Sequence, residues 1–422
     1  MLARRKVTFF YLILGLLVLY SPIGLAQTPA SLYFIFPATT PNPNGEITIA
    51  RKRAYDIFVG VTGTKVSIDD NRVVQMETLV AAGNEKKAVA LATSDRAFYN
   101  VRLVNMAKKM STREESAQVP LNDFVATFVG AVRDGVDARQ LLTGNFFYRG
   151  DPEKMIAAGL TKFPDISDGA IRISNAHYSQ LEVRYSLYDV LVREDGQRVG
   201  GEGGINPDAA GLITTRAFMQ AHADAGTNRR LVEYTFREFL CTPIQEWKDA
   251  TRPDNMIGRD VDRFAGGGNT RYQTTCKACH GQMDGLRQAF AYVDFPNNSI
   301  GVSAGVPLKK FSSNAQIFPQ GFVTKDNKWV NYVTGPLNKD RFGWRGPLTG
   351  AGINEFGQMI ANSKGFSRCM TKRLFTEICK REPSVNEEPV VRSIASDFEA
   401  TYKIKDLAEI IAIHPSCIPR RN

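Results

Sequence analysis

Only six cysteines and four histidines occur in 422 residues, and a single pair of cysteines stands three apart. A structural zinc site takes four ligands, usually from two close pairs, so this scarcity weighs against zinc. After Tyr20 no long apolar run appears, which leaves no membrane span in the rest of the chain. Lys and Arg do not cluster among aromatics, which argues against nucleic acid as a partner. The glycine-rich stretch Asp195 to Gly211, "DGQRVGGEGGINPDAAG", lacks the Gly-Lys-Ser/Thr ending of a phosphate cradle and reads as a long flexible loop. There is no internal repeat and no low-complexity tract.

What is present begins with an export pattern. Arg4, Arg5 and Lys6 precede an apolar run from Val7 to Tyr20, then Ser21-Pro22 and the small residues of Gly24-Leu25-Ala26. This is the plan of a secretory signal over residues 1–26, cleaved before Gln27. The run is shorter than the roughly 20 residues of a spanning helix, so an uncleaved membrane anchor is the lesser alternative. No cysteine near the site offers a lipid anchor. Cleavage removes three cations and no acid, so the formal charge falls from +10 to +7. The mature protein is expected in the periplasm or otherwise exported, mildly basic and suited to an acidic partner.

In an oxidising compartment cysteines are mostly paired. "CMTKRLFTEIC" carries Met370, Leu374, Phe375 and Ile378 at helical spacing. Ten residues of helix set Cys369 and Cys379 about 15 Å apart, beyond the roughly 7 Å reach of a disulfide. Each then pairs with Cys241 or Cys417, unless the thiols are free and buried. Cys379 with Cys417 and Cys241 with Cys369 is preferred, because the first closes the shorter loop.

The expected fold is mainly α, with an N-terminal helical domain over 27–210 and a haem domain with long loops and C-terminal helices over 211–422. "LNDFVATFVGAV" places Leu121, Phe124, Val125, Phe128, Val129 and Val132 on one helical face. "NEKKAVALATSDRAFYNVRLVNMAKKM" reads as a helix or helix pair. "SLYFIFPATTPNPNGEITIA" reads as extended and turn-rich. "NRRLVEYTFREFLCTPIQEW" reads as a helix ending near Cys241 and Pro243. Asn297 to Gly350, with Trp329 and Trp344, reads as loop with short strands, and "SDFEATYKIKDLAEIIAI" is helical again.

The chemistry concentrates in "TTCKACHGQMDG". A haem has two vinyl groups on neighbouring ring edges, and two thiols one helical turn apart can reach both as thioethers. The adjoining histidine can donate a ring nitrogen to iron. Cys276, Cys279 and His280 have that spacing, so one covalent haem c is the expected cofactor. A thioredoxin-like dithiol sits in a βαβ setting, whereas this flank, "GRDVDRFAGGGNTRYQTT", is a glycine-rich approach within a helical chain.

For the distal iron ligand, Met283 falls on the same helical face as His280 and reads as packing. Met359, across the long loop, is the choice over Met370, His177 and His414, and an open sixth position is the alternative. "RDVDR" offers Arg259 and Arg263 with Asp260 and Asp262, read first as a surface ion-pair network and second as arginines for haem propionates.

"GLITTRAFMQAHADAGTNRRLVEYTFREFLC", "CKACHGQMDGLRQAFAYVDF" and "FGQMIANSKGFSRCMTKRLF" resemble the planctomycete-type cytochrome c-like proteins. These carry one Cys-x-x-Cys-His motif flanked by domains of unknown function. "RKRAYDIFVGVTG" with "SDRAFYNVRL" is similar to their preceding helical region, and the likeness runs from Arg51 to Cys417. It implies an exported, mainly helical protein with one covalent haem that transfers electrons, and it carries over Cys276, Cys279 and His280. The chain departs from the pattern in two places. Asp284-Gly285-Leu286-Arg287 stands where Asp-Pro-Leu-Gly is common, and "EICKREP" stands in place of a Leu-Gly-Arg phrase.

Three functions compete at this level. One is a one-haem electron carrier serving a redox partner protein. The second is a haem enzyme of peroxidase or dehydrogenase type. The third is a non-redox surface or assembly protein with a structural haem.

Overall fold

The computed structural model describes residues 47–157, 168–184, 187–200, 203–223, 228–259, 270–308, 311 and 319–418. The expected signal and the extended stretch up to Glu46 lie outside the described residues, as do Asp260, Asp262 and Arg263. The described chain is mainly helical, with four two-stranded antiparallel sheets among the helices. None of its helices is long and apolar enough to cross a membrane.

The first helix, Ile49–Thr62, begins where extended chain was expected, because the Thr48 side chain accepts from the Arg51 N–H and satisfies one orphan donor. It stops at Gly63, whose φ of 79° suits a residue without Cβ. Buried Arg102 then donates to the carbonyls of Val59, Gly60 and Val61, closing the helix end with a cation. Arg102 comes from a helix pair, Glu85–Ser94 and Val104–Met110, joined through a wide turn at Phe98–Leu103.

Asp123–Arg133 is capped by Asn122, which accepts from Val125 N–H. All six residues expected on its apolar face are buried, and so are Ala126, Thr127, Gly130 and Ala131. It is therefore a helix enclosed by packing, not a one-faced surface helix. Small residues on its second side admit the antiparallel pair Phe146–Gly150 and Leu191–Asp195. A Cβ at Gly130 would stand 2.1 Å from the Tyr148 ring.

The loop from Asp195 to Gly211 is pinned in its described part. The Gln197 amide donates to Phe146 O at 3.1 Å and Gly211 O at 2.7 Å, and Thr214 Oγ1 donates to its carbonyl oxygen. Glycine-rich chain reads as flexible from composition, but one buried amide supplies the partners that hold it.

Packing continues across the boundary expected at 210–211, and Ile47–Asn422 forms one compact unit. Asp123 accepts from the N–H groups of Arg216 and Ala217, so one carboxylate starts the helix Arg216–His222 from across that line. Asp208 does the same for Gly352–Ala361, accepting from Ile353 and Asn354. The last helix, Ile404–Ile413, packs on Glu85–Ser94 and Ile49–Thr62. Between Asn297 and Gly350 the described chain carries short strands as expected, and also a helix, Pro336–Phe342.

Both preferred disulfides form, Cys241–Cys369 and Cys379–Cys417. Cys369 and Cys379 share the sixteen-residue helix Lys364–Cys379, which explains why they do not pair with each other. Cys241 ends the helix Arg229–Leu240 in a left-handed conformation.

Removing the 38-residue link by Cys379→Ala with Cys417→Ala should cost about 4 kcal/mol on loop entropy. Equilibrium urea unfolding under non-reducing conditions reads this as a lower midpoint.

A second expectation concerns acid. Glu194 receives Arg149 at 2.6 Å, Arg172 at 2.5 Å and Arg198 at 2.9 Å. Burial raises its carboxyl, but the three guanidinium groups outweigh that and bring it from 4.5 to about 2. A depressed acid stabilises the fold above its unfolded value and loses that contribution as pH falls from 4.5 toward 2. Glu194→Gln should flatten the loss of thermal stability across that window, measured by melting at stepped pH.

Candidate functional site

The motif lies where a wide turn, Tyr272–Cys276, feeds the helix Lys277–Leu286. Cys276, Cys279, His280 and Met283 recur at i, i+3, i+4 and i+7, so they share one face. The opposite face is held by backbone. A Cβ at Gly281 would stand 3.4 Å from Pro253 O, and one at Gly285 only 2.6 Å from Val330 O. Gln282, on the flank, accepts from the Asn338 amide, which also donates to Trp247 O. Lys277 reaches Asp254 at 3.7 Å.

Gly285 thus has a physical reason to lack a side chain. The strand Lys328–Val330 lies against the helix where a side chain would otherwise project.

Cys276 and Cys279 are both unpaired and half-buried, although the other four cysteines are bridged. Cys276 packs on Ile257 and Tyr272. Cys279 faces the main core, with its sulfur 3.9 Å from Ile244 O. Burial, then Glu233 and Cys276, push the Cys279 thiol above its ordinary value. Among the described residues no group of three or more His, Cys, Asp or Glu side chains is arranged to hold a metal ion.

His280 is a quarter exposed, and its Nδ1 stands 3.3 Å from Asp284 Oδ1 on the next turn. Asp284 is fully buried. Arg229 grips it with two bonds of 2.7 Å, and Gly258 N–H donates to it at 2.9 Å. Burial alone would raise this carboxyl. Arg229 chiefly, with Arg287 and the His280 contact, overcomes that and holds it well below the usual carboxylate range. Asp284, Arg229 and Gly258 were not singled out from the sequence. The signal for Asp284 was there, since His280 and Asp284 are four apart on a helix.

This set fits a covalent haem on two grounds. The two thiols are one helical turn apart and uncommitted. Nδ1 of His280 is engaged by a carboxylate, as the second nitrogen of a metal-bound histidine usually is, leaving Nε2 without a described partner.

The structure brings together Cys276, Cys279 and His280. No described hydrogen bond joins Met359 to them. It lies buried in Gly352–Ala361, and its sulfur accepts from the Asn331 amide at 3.2 Å. Met283 is buried as core, and Met370 is buried in Lys364–Cys379. His177 Nε2 accepts from Gly150 N–H at 3.3 Å, and burial lowers this imidazole to about 3. His414 Nδ1 accepts from Ser416 N–H at 3.2 Å. Arg259 reaches Gly321 O at 3.4 Å, in a backbone contact. His222 drew no notice from the sequence, ending a short helix without a partner at ligand spacing. It is fully buried between Tyr234 at 3.9 Å and Phe218 at 4.5 Å, and burial lowers it to about 2.

Gly285→Ala should separate the motif helix from Lys328–Val330 and destabilise by about 1–3 kcal/mol. Denaturant unfolding of the purified chain checks it, with Gly204→Ala as control, since a Cβ there meets only ordinary contacts at 3.7 Å or beyond and the backbone is not left-handed.

Compared with known protein families, with curated proteins and with solved structures, the chain finds no match.

Proposed function

We propose that the chain is an exported electron-transfer protein carrying one haem bound covalently through Cys276 and Cys279, with His280 Nε2 as the proximal iron ligand. The observation that carries this reading is an uncommitted cysteine pair beside a histidine whose other nitrogen meets a buried carboxylate. The export pattern at residues 1–26 agrees with it, because thioether attachment of haem takes place outside the cytoplasm.

Once bound, the haem supplies a one-electron iron couple. The chain's own residues do the rest. Cys276 and Cys279 would hold the group to the helix covalently in either oxidation state. His280, on the same helical face, would supply Nε2 to its iron. Ile257, Tyr272 and Met283 offer buried apolar surface beside those anchors, which lowers the local dielectric and so tunes the potential. Met359, whose sulfur accepts from the Asn331 amide through one lone pair, would have the other to offer as a distal ligand. The basic charge of the mature chain suits an acidic redox partner.

The reading is tested by co-expressing the full chain with haem-attachment machinery and purifying the exported product. The expected product is coloured, gains the mass of one haem and gives a c-type reduced pyridine spectrum. Cys276→Ala with Cys279→Ala should abolish both colour and added mass. A six-coordinate spectrum unchanged by carbon monoxide supports the carrier, whereas a high-spin, ligand-binding iron moves the reading to a haem enzyme. A colourless product holding zinc, or a Cys276–Cys279 disulfide, overturns it.

A further inference from the structure

A neutral imidazole has one N–H and one lone pair, and only the lone pair can bind a metal. Which nitrogen carries the proton is set by the hydrogen bond the other group can make. At His280 that group is Asp284, and its chemistry leaves little choice. Its carboxylate is ion-paired with Arg229 through both oxygens and also accepts from the Gly258 N–H. All of these neighbours are donors, so Asp284 is an acceptor toward every group around it. Being fully buried and tied to two other segments, it cannot swing away or exchange its role for water.

We propose that Asp284, locked by Arg229 and Gly258, is a positioning residue that fixes His280 as the Nδ1–H tautomer, so Nε2 presents its lone pair before haem arrives. The proposal rests on the haem reading for its purpose, but the tautomer is a property of the haem-free chain.

One isosteric change has a directional outcome. In Asp284→Asn the amide oxygen is held at the Oδ2 position, where both Arg229 and Gly258 donate, and the new NH2 takes the Oδ1 position that faces His280. An N–H facing Nδ1 calls for a lone pair there and drives the proton to Nε2. The iron-binding nitrogen is then blocked although no atom of the ligand set has changed. Asp284→Asn keeps the shape of the site and a bond to Arg229, so the fold is expected to persist.

The experiment uses the haem-free full chain, labelled with nitrogen-15, and long-range proton–nitrogen spectra of His280 at a pH where the ring is neutral. His280→Gln identifies the resonance. The expected wild-type pattern is Nδ1–H, and the expected Asp284→Asn pattern is Nε2–H. In the haem-loaded protein the same variant should lose the His280–iron bond and shift from low-spin to high-spin absorption.

Asp284→Glu, which restores an acceptor, should return the Nδ1–H pattern. A wild-type ring with its proton on Nε2 overturns the proposal, and so does an Asp284→Asn ring that stays Nδ1–H. Should the Asp284→Asn chain fail to fold, the wild-type pattern decides alone. Failure of the haem reading looks different: a colourless exported chain whose His280 nonetheless shows Nδ1–H.

Discussion

A charged carboxylate with no access to water has to be answered by the protein around it, and at Asp284 the answer organises the site. The desolvation cost of an isolated buried charge runs to several kcal/mol, and it is met only where donors surround the group with good geometry. Arg229 supplies two bonds from the helix Arg229–Leu240, and Gly258 supplies one from the segment after Trp247. Three parts of the chain, the motif helix and two segments before it, are thereby fixed to one another. The direction His280 faces follows from that arrangement. Moving any of the three would leave a buried charge incompletely paired, which is why the site is specified more tightly than its two cysteines require.

The scaffold behind it rests on one long helix. Lys364–Cys379 packs on Arg229–Leu240 and carries a disulfide at its middle and another at its end. Its Glu377 also meets Arg102, which closes the first helix of the described chain. The N-terminal and C-terminal helices are therefore attached to one element, and the motif helix joins it through Arg229–Leu240. Lys328–Val330 on its other side completes the restraint of the motif helix.

Much of this was legible in the sequence wherever a local rule had one solution. Helical periodicity placed Cys369 and Cys379 too far apart to bond, and of the two pairings left the one with the shorter loop is the one that forms. The six apolar residues from Leu121 to Val132 are buried as expected. What escaped were features that depend on a distant partner. Nothing near Gln197 announces that its amide will pin a glycine-rich loop, and nothing near Asp123 announces that it will start a helix ninety residues later. Capping across such spans carries no periodic trace. Asp284 fell between these cases: its spacing from His280 is local, but its burial is created by Arg229 and Gly258. The boundary expected at 210–211 stands where the glycine-rich loop ends, and Asp123 and Asp208 bond across it.

The position of the last helix has a consequence for assembly. Ile404–Ile413 covers Glu85–Ser94 and Ile49–Thr62, so the first helices have no finished core until the far end of the chain has been made. Contacts of such sequence separation form late and slowly. The thiols of Cys276 and Cys279 pack instead on Ile257, Tyr272 and Ile244, neighbours close in sequence, so their covering is set locally and does not wait for Ile404–Ile413 to dock.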